Sequence, residues 1–122
     1  MLFRSPLVER MVEERRVLVA LGEELEAVQA LIGANGGSLD PSRVGDLQEA
    51  VAAAAAALAA TVDEIAGRGL QVKDLDRGLV DFPARHPGSG DTVLLCWELG
   101  EPDVAFWHSP EDGFAGRKPL PF

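Results

Sequence analysis

Cysteine occurs once in this chain, at Cys96, so no disulfide can close within it and a reducing compartment is expected. Basic residues are scarce: 11 Lys and Arg stand against 20 Asp and Glu, a formal charge of −9. Affinity for nucleic acid comes mainly from basic side chains that displace counterions, so no nucleic-acid partner is expected. An anionic membrane surface is disfavoured for the same reason. The short basic pairs Arg15-Arg16 and Arg117-Lys118 are read as solvated or ion-paired. Long apolar runs are missing too. The most apolar stretch, residues 51–60, is nearly all alanine and far shorter than the ~20 residues of a membrane span. Residues 1–10 carry charges and a proline where a secretory signal has an apolar core. A cytoplasmic location and no membrane partner are expected. Phosphate loops, nucleotide-binding glycine patterns and nucleophile elbows are absent. So are CxxC and HExxH spacings, and neither a metal nor a cofactor is expected.

What is present reads as a globular chain of 122 residues, 47% hydrophobic and 25% charged. Ser5-Pro6 is a helix start, with a capping hydroxyl followed by proline at the first helical position. Leu7, Met11, Leu18, Leu21, Leu25, Val28 and Ile32 then recur at helical steps, broken only by Glu14. Arg10/Glu14 and Glu13/Arg16 sit at ion-pair spacing, worth ~0.2–0.5 kcal/mol each. The segment Gly33-Ala34-Asn35-Gly36-Gly37 stops this helix. Asp40-Pro41 starts a second, running to about Ala66 with Val44, Leu47, Val51, Leu58, Val62 and Ile65 inward. Two such helices on a short connection fold back antiparallel.

After Gly69 the pattern alternates. Residues 70–75, 79–82, 92–99 and 104–108 read as short strands, separated by Gly/Pro turns. The third is apolar on both faces and should be central. Residues 110–122 should cross the sheet as an ordered loop pinned by Phe114 and Leu120. The fold class is therefore α+β: a long antiparallel helical hairpin (residues 1–67) followed by a small antiparallel β-meander (residues 68–122), in one folding unit.

The strings Val72-Lys73-Asp74-Leu75, Gly78-Leu79-Val80-Asp81-Phe82-Pro83-Ala84, Leu94-Leu95-Cys96-Trp97-Glu98-Leu99-Gly100-Glu101, Trp107-His108 and Gly113-Phe114-Ala115-Gly116-Arg117-Lys118-Pro119-Leu120 follow one another over roughly residues 68–120. In that order they resemble the bacterial family named domain of unknown function 2203. The helical part agrees in character, and the usual Phe-Thr and Glu-Ala-Asn start is altered at Phe3 to Leu7. The resemblance implies no activity and brings no catalytic residue with it.

Asp81, Glu101, His108 and Arg117, with Asp112, fall at strand ends or turns, where polar groups can converge. A histidine with carboxylates is the minimum for acid–base work or metal binding. The plainer reading, which we prefer, has His108 capping a turn through its ring nitrogens while Arg117 pairs with Asp81 or Glu101. A metal reading would recruit Cys96, His108 and His86 or Glu101, but lacks any ligand spacing. Cys96, mid-strand, is read as inert, His86 as exposed in a hairpin loop, and Trp97, Trp107, Phe106 and Phe114 as core, with part of a ligand pocket as the alternative.

Helix 1 carries more apolar surface than one seam consumes, through Val8, Val12, Val17 and Val19. The expected function is that of a structural or interaction protein, a homodimer joined along the hairpin at Leu18, Leu21, Leu25, Val51 and Leu58. The alternative is a small-molecule-binding or hydrolytic protein using the polar group of the β module, and a third is docking to a larger protein through the helices.

Overall fold

The computed structural model describes residues 5–34 and 41–122. The expected helix stop at Asn35–Gly37, the Asp40 cap and the altered start at Phe3 lie outside them. Helix α1, Pro6–Ala34, begins as read: the Val8 amide donates to Ser5 Oγ at 3.2 Å and the Glu9 amide to the Ser5 carbonyl at 3.0 Å. Helix α2, Pro41–Gly67, lies antiparallel to it, since Arg10 pairs with Glu64 at 2.7 Å and Arg43 with Glu24 at 2.6 Å. The seam buries Met11, Val28, Leu47, Leu58 and Ile65. Glu14, the break in the stripe, has a partner there. Its carboxylate accepts a hydrogen bond from the buried Thr61 hydroxyl, which also lies 3.1 Å from the Ala57 carbonyl oxygen. Arg10 Nε sits 4.0 Å from the same carboxylate, so the polar pair in the seam is satisfied rather than stranded.

Five antiparallel strands follow in chain order, forming a meander: β1 Gln71–Asp74, β2 Leu79–Arg85, β3 Thr92–Glu98, β4 Phe106–His108 and β5 Lys118–Pro119. The fold class is the expected α+β one, with β3 central. β1 and β4 are shorter than the reading of the sequence, and two other details differ from it. β2 does not end at Phe82 but continues through Pro83 to Arg85. Its pairing with β1 ends at Asp81, and beyond that point the β1 side of β2 is unpaired, where a residue without an amide hydrogen is tolerated. The C-terminal segment is more than a loop: it makes a 3-10 turn at Phe114–Gly116 and adds the two-residue β5, with the Leu120 amide donating to the Ala105 carbonyl at 2.7 Å.

The strand register sorts the side chains onto two faces. Val80, Phe82, Val93, Leu95 and Trp97 share one; Leu79, Asp81, Leu94, Cys96, Phe106 and His108 share the other. The first meets the helices. Val80 and Trp97 form one buried cluster with Val8, Met11, Leu58 and Ile65. Val8, counted above as surplus apolar surface, is fully buried in this cluster and Val12 packs against it, so the sheet consumes both. Gly78 shows how close the approach is. Its φ is +64°, and a Cβ there would stand 2.7 Å from Leu99 Cβ, 3.1 Å from Val12 and 3.2 Å from Val8. Val17 and Val19 remain 37% and 39% exposed.

Candidate functional site

The second face of the sheet carries the polar cluster. Asp81 on β2 and Cys96 on β3 are register partners, and His108 on β4 lies on the same face. His108 Nε2 is 2.9 Å from Asp81 Oδ2, and the two side chains are only 2% and 3% exposed. Nδ1 of the same ring is 2.7 Å from the Ser109 carbonyl oxygen. A carbonyl can only accept, so Nδ1 carries a hydrogen. The contact between Nε2 and Asp81 then needs one more proton, held either by the imidazolium or by the carboxylic acid. Either way the pair is neutral overall, which is how burial of two ionisable groups stays affordable. Asp81 Oδ1 is buried without a nitrogen or oxygen partner among the described residues.

Glu101 and Arg117 make the second pair of the site, at 3.1 Å and about one-fifth exposed. Glu101 Oε1 also accepts from the Glu98 amide at 2.8 Å, and its carbonyl accepts from Trp97 Nε1 at 3.1 Å. The Arg117 guanidinium lies 3.9 Å from the ring centre of Phe106 and 4.2 Å from that of Phe114. It thereby ties the C-terminal segment over the sheet. Arg77 approaches Phe114 at 4.4 Å while binding Glu98 through two hydrogen bonds of 2.9 and 3.0 Å, which hold the Glu98 carboxyl below the usual carboxylate range.

Cys96 joins the two pairs. Its Sγ is 3.9 Å from Arg117 Nη1, and it shares a sphere with Asp81 and His108 in which all three donor atoms lie within 4.8 Å of one another. Burial, with the charge on Asp81 adding to it and Arg117 opposing, pushes the thiol up to about 11. At neutral pH it is a thiol and a poor nucleophile.

The four residues singled out in the sequence thus converge, but as pairs. Arg117 chose Glu101, and Asp81 went to His108. Asp81 lies inside β2, not at a strand end, and its place opposite Cys96 is invisible to residue spacing, because only the β2–β3 register brings them together. Asp112 goes elsewhere, lining a groove of about 550 Å³ with His86, Trp107 and Lys118. His86 is not simply exposed: its Nδ1 accepts from the Gly88 amide at 3.0 Å, and its ring packs edge-on against Trp107 and Phe122 at 5.2 and 4.8 Å.

The family model of uncharacterized conserved proteins designated DUF2203 matches residues 4–120, the helices as well as the sheet. The chain belongs to this family. No curated protein matches it, and no solved structure does.

The remaining feature of this DUF2203 fold is the outer side of α2. Between Glu49 and Asp63 that helix carries no charged residue, and Ala52, Ala53, Ala55, Ala56, Ala57, Ala59 and Ala60 are exposed. Residues Ser42–Gly67 are long and apolar enough, by length and composition alone, to cross a membrane, and only 17% of the most apolar window is buried. Of the residues expected at a dimer seam, Leu58 is already buried within one copy, Leu18 packs against the core, and Leu21, Leu25 and Val51 are half-buried. Apolar surface left open lies instead on the α2 alanines, on Val17 and Val19, and on Leu31. Val17, Ala54 and Ala57 line a shallow groove of about 150 Å³ between the helices, edged by Glu13 and Glu14.

Proposed function

We propose that this DUF2203 protein is a self-associating structural protein, a cytoplasmic homodimer joined through the outer face of α2. The observation that carries the reading is the uncharged, exposed alanine surface of that helix. Between Glu49 and Asp63 the uncharged face of α2 runs for about 20 Å at ~1.5 Å per residue, a dry centre for a contact between helices. Alanine faces let helix axes approach to about 8 Å.

A second copy suits this face better than other occupants. A bilayer suits it less, because α1 runs along α2 with Glu13 and Glu14 at the depth of the alanine turns, and charges at mid-span are costly. The hydrolytic alternative has weaker support: Asp81 and His108 are buried, and all four polar residues are engaged in pairs.

The test is a charge placed on the proposed seam. Ala53→Glu combined with Ala57→Glu is expected to weaken self-association by about 100-fold or more, since four like charges then meet across the twofold. Ala20→Glu, on the charged side of α1, should leave it unchanged. Sedimentation velocity across a concentration series reads both. An unaltered assembly in the double variant, or a monomeric parent that sediments with lipid vesicles, overturns the proposal.

A further inference from the structure

We propose that Asp81, Cys96 and His108 form a binding site for one divalent transition-metal ion of the zinc class. Three independent observations meet there. The first is the donor set: one carboxylate oxygen, one thiol sulfur and one imidazole nitrogen within 4.8 Å of one another, from three adjacent strands. Mixed oxygen, sulfur and nitrogen donors on a rigid sheet are what a borderline-soft ion takes. The second is Asp81 Oδ1, buried and, among the described residues, without a nitrogen or oxygen to accept from; the donor beside this carboxylate is the Cys96 thiol, itself a member of the set. A carboxylate oxygen so placed suits an ion that takes the place of the thiol proton.

The third is the imidazole's orientation. His108 donates its Nδ1 hydrogen to the Ser109 carbonyl at 2.7 Å and turns Nε2 into the cluster. Metal-binding histidines are held in this way, one nitrogen fixed to a backbone carbonyl and the other aimed at the ion. Arg117 provides comparable outer support, with Nη1 3.9 Å from the sulfur and its own charge balanced by Glu101.

Charge and protons balance. An entering divalent cation displaces the proton shared by Asp81 and His108 and the Cys96 thiol proton. The filled site then holds one dipositive ion, one carboxylate, one thiolate and a neutral imidazole, and is neutral overall. The three donors fill three positions of a tetrahedral ion and leave the fourth to a water, and their burial keeps the site from bulk solvent.

The full chain, stripped with chelator and titrated with Co²⁺, tests this. The expected result is about one ion bound per chain, tetrahedral cobalt absorption in the visible, and a thiolate-to-cobalt charge-transfer band in the near ultraviolet. Cys96→Ser removes the charge-transfer band, and His108→Ala weakens Zn²⁺ binding by about 100-fold or more, while His86→Ala changes neither. The parent spectrum decides even where a variant fails to fold. A parent chain that shows no charge-transfer band, or Zn²⁺ binding equal in parent, Cys96→Ser and His108→Ala chains, overturns the assignment. The outcome is separate from self-association, which uses other residues.

Discussion

His108→Ala, measured by urea unfolding in chelator, is expected to cost about 3–5 kcal/mol. The reason lies in what is left behind. Among the described residues Asp81 Oδ1 has no nitrogen or oxygen partner, and the substitution takes the imidazole from Oδ2, at a site 3% exposed. The Ser109 carbonyl loses its donor at the same stroke. Folded domains are stable by only about 5–15 kcal/mol, so the variant sits near the edge of folding. Asp81→Asn is expected to be far milder, under about 2 kcal/mol. With Nδ1 holding the hydrogen, Nε2 is an acceptor, and the amide of Asn donates to it without any ionised group. An ordering in which Asp81→Asn is as damaging as His108→Ala contradicts the proton-sharing pair, as does a His108→Ala chain within about 1 kcal/mol of the parent.

Trp97→Ala is expected to be of similar size, about 3–5 kcal/mol. The ring is 2% exposed and lies where the sheet meets both helices, among Val8, Met11, Leu58, Ile65 and Val80. Its Nε1 also donates to the Glu101 carbonyl at 3.1 Å, which shapes the turn after β3. Trp97→Phe keeps most of the packing and drops that bond, for about 1–2 kcal/mol. In the parent chain, helix unfolding followed by far-ultraviolet dichroism and sheet unfolding followed by tryptophan fluorescence should coincide, because one buried cluster joins the two parts. Two separated transitions would show that the hairpin and the meander melt independently, and that Trp97 does not couple them.

Much of the fold was legible because local chemistry wrote it. Ser5 and Pro6 mark the start of α1, and the alternation across Val93 to Trp97, apolar on both faces, marks a central strand. The apolar stripe was visible as well, but not its division of labour. Periodicity cannot distinguish a valine that meets a sheet from one that meets a second copy, and Val8 and Val12 turned out to serve the sheet while Val17 and Val19 stayed open. β5 left no trace in the sequence, since Lys118 and Pro119 have no strand preference and pair only because Phe106 and Trp107 are already in place.

The site was half legible for a related reason. Its polar residues could be named, because the chain has only two histidines and His108 directly follows an aromatic strand. Their partners could not, because pairing depends on register across 27 positions between Asp81 and His108. Cys96 looked like a small buried hydrophobe, and it is buried. What sequence spacing hid is that the β2–β3 register sets it opposite a carboxylate.

Native mass in solution is the decisive measurement for the function argued here. Light scattering coupled to size exclusion, at micromolar concentration and moderate salt, should return twice the 13.0 kDa of one chain. A species of 13.0 kDa that holds across the concentration range would contradict it and leave the alanine face of α2 without its proposed partner.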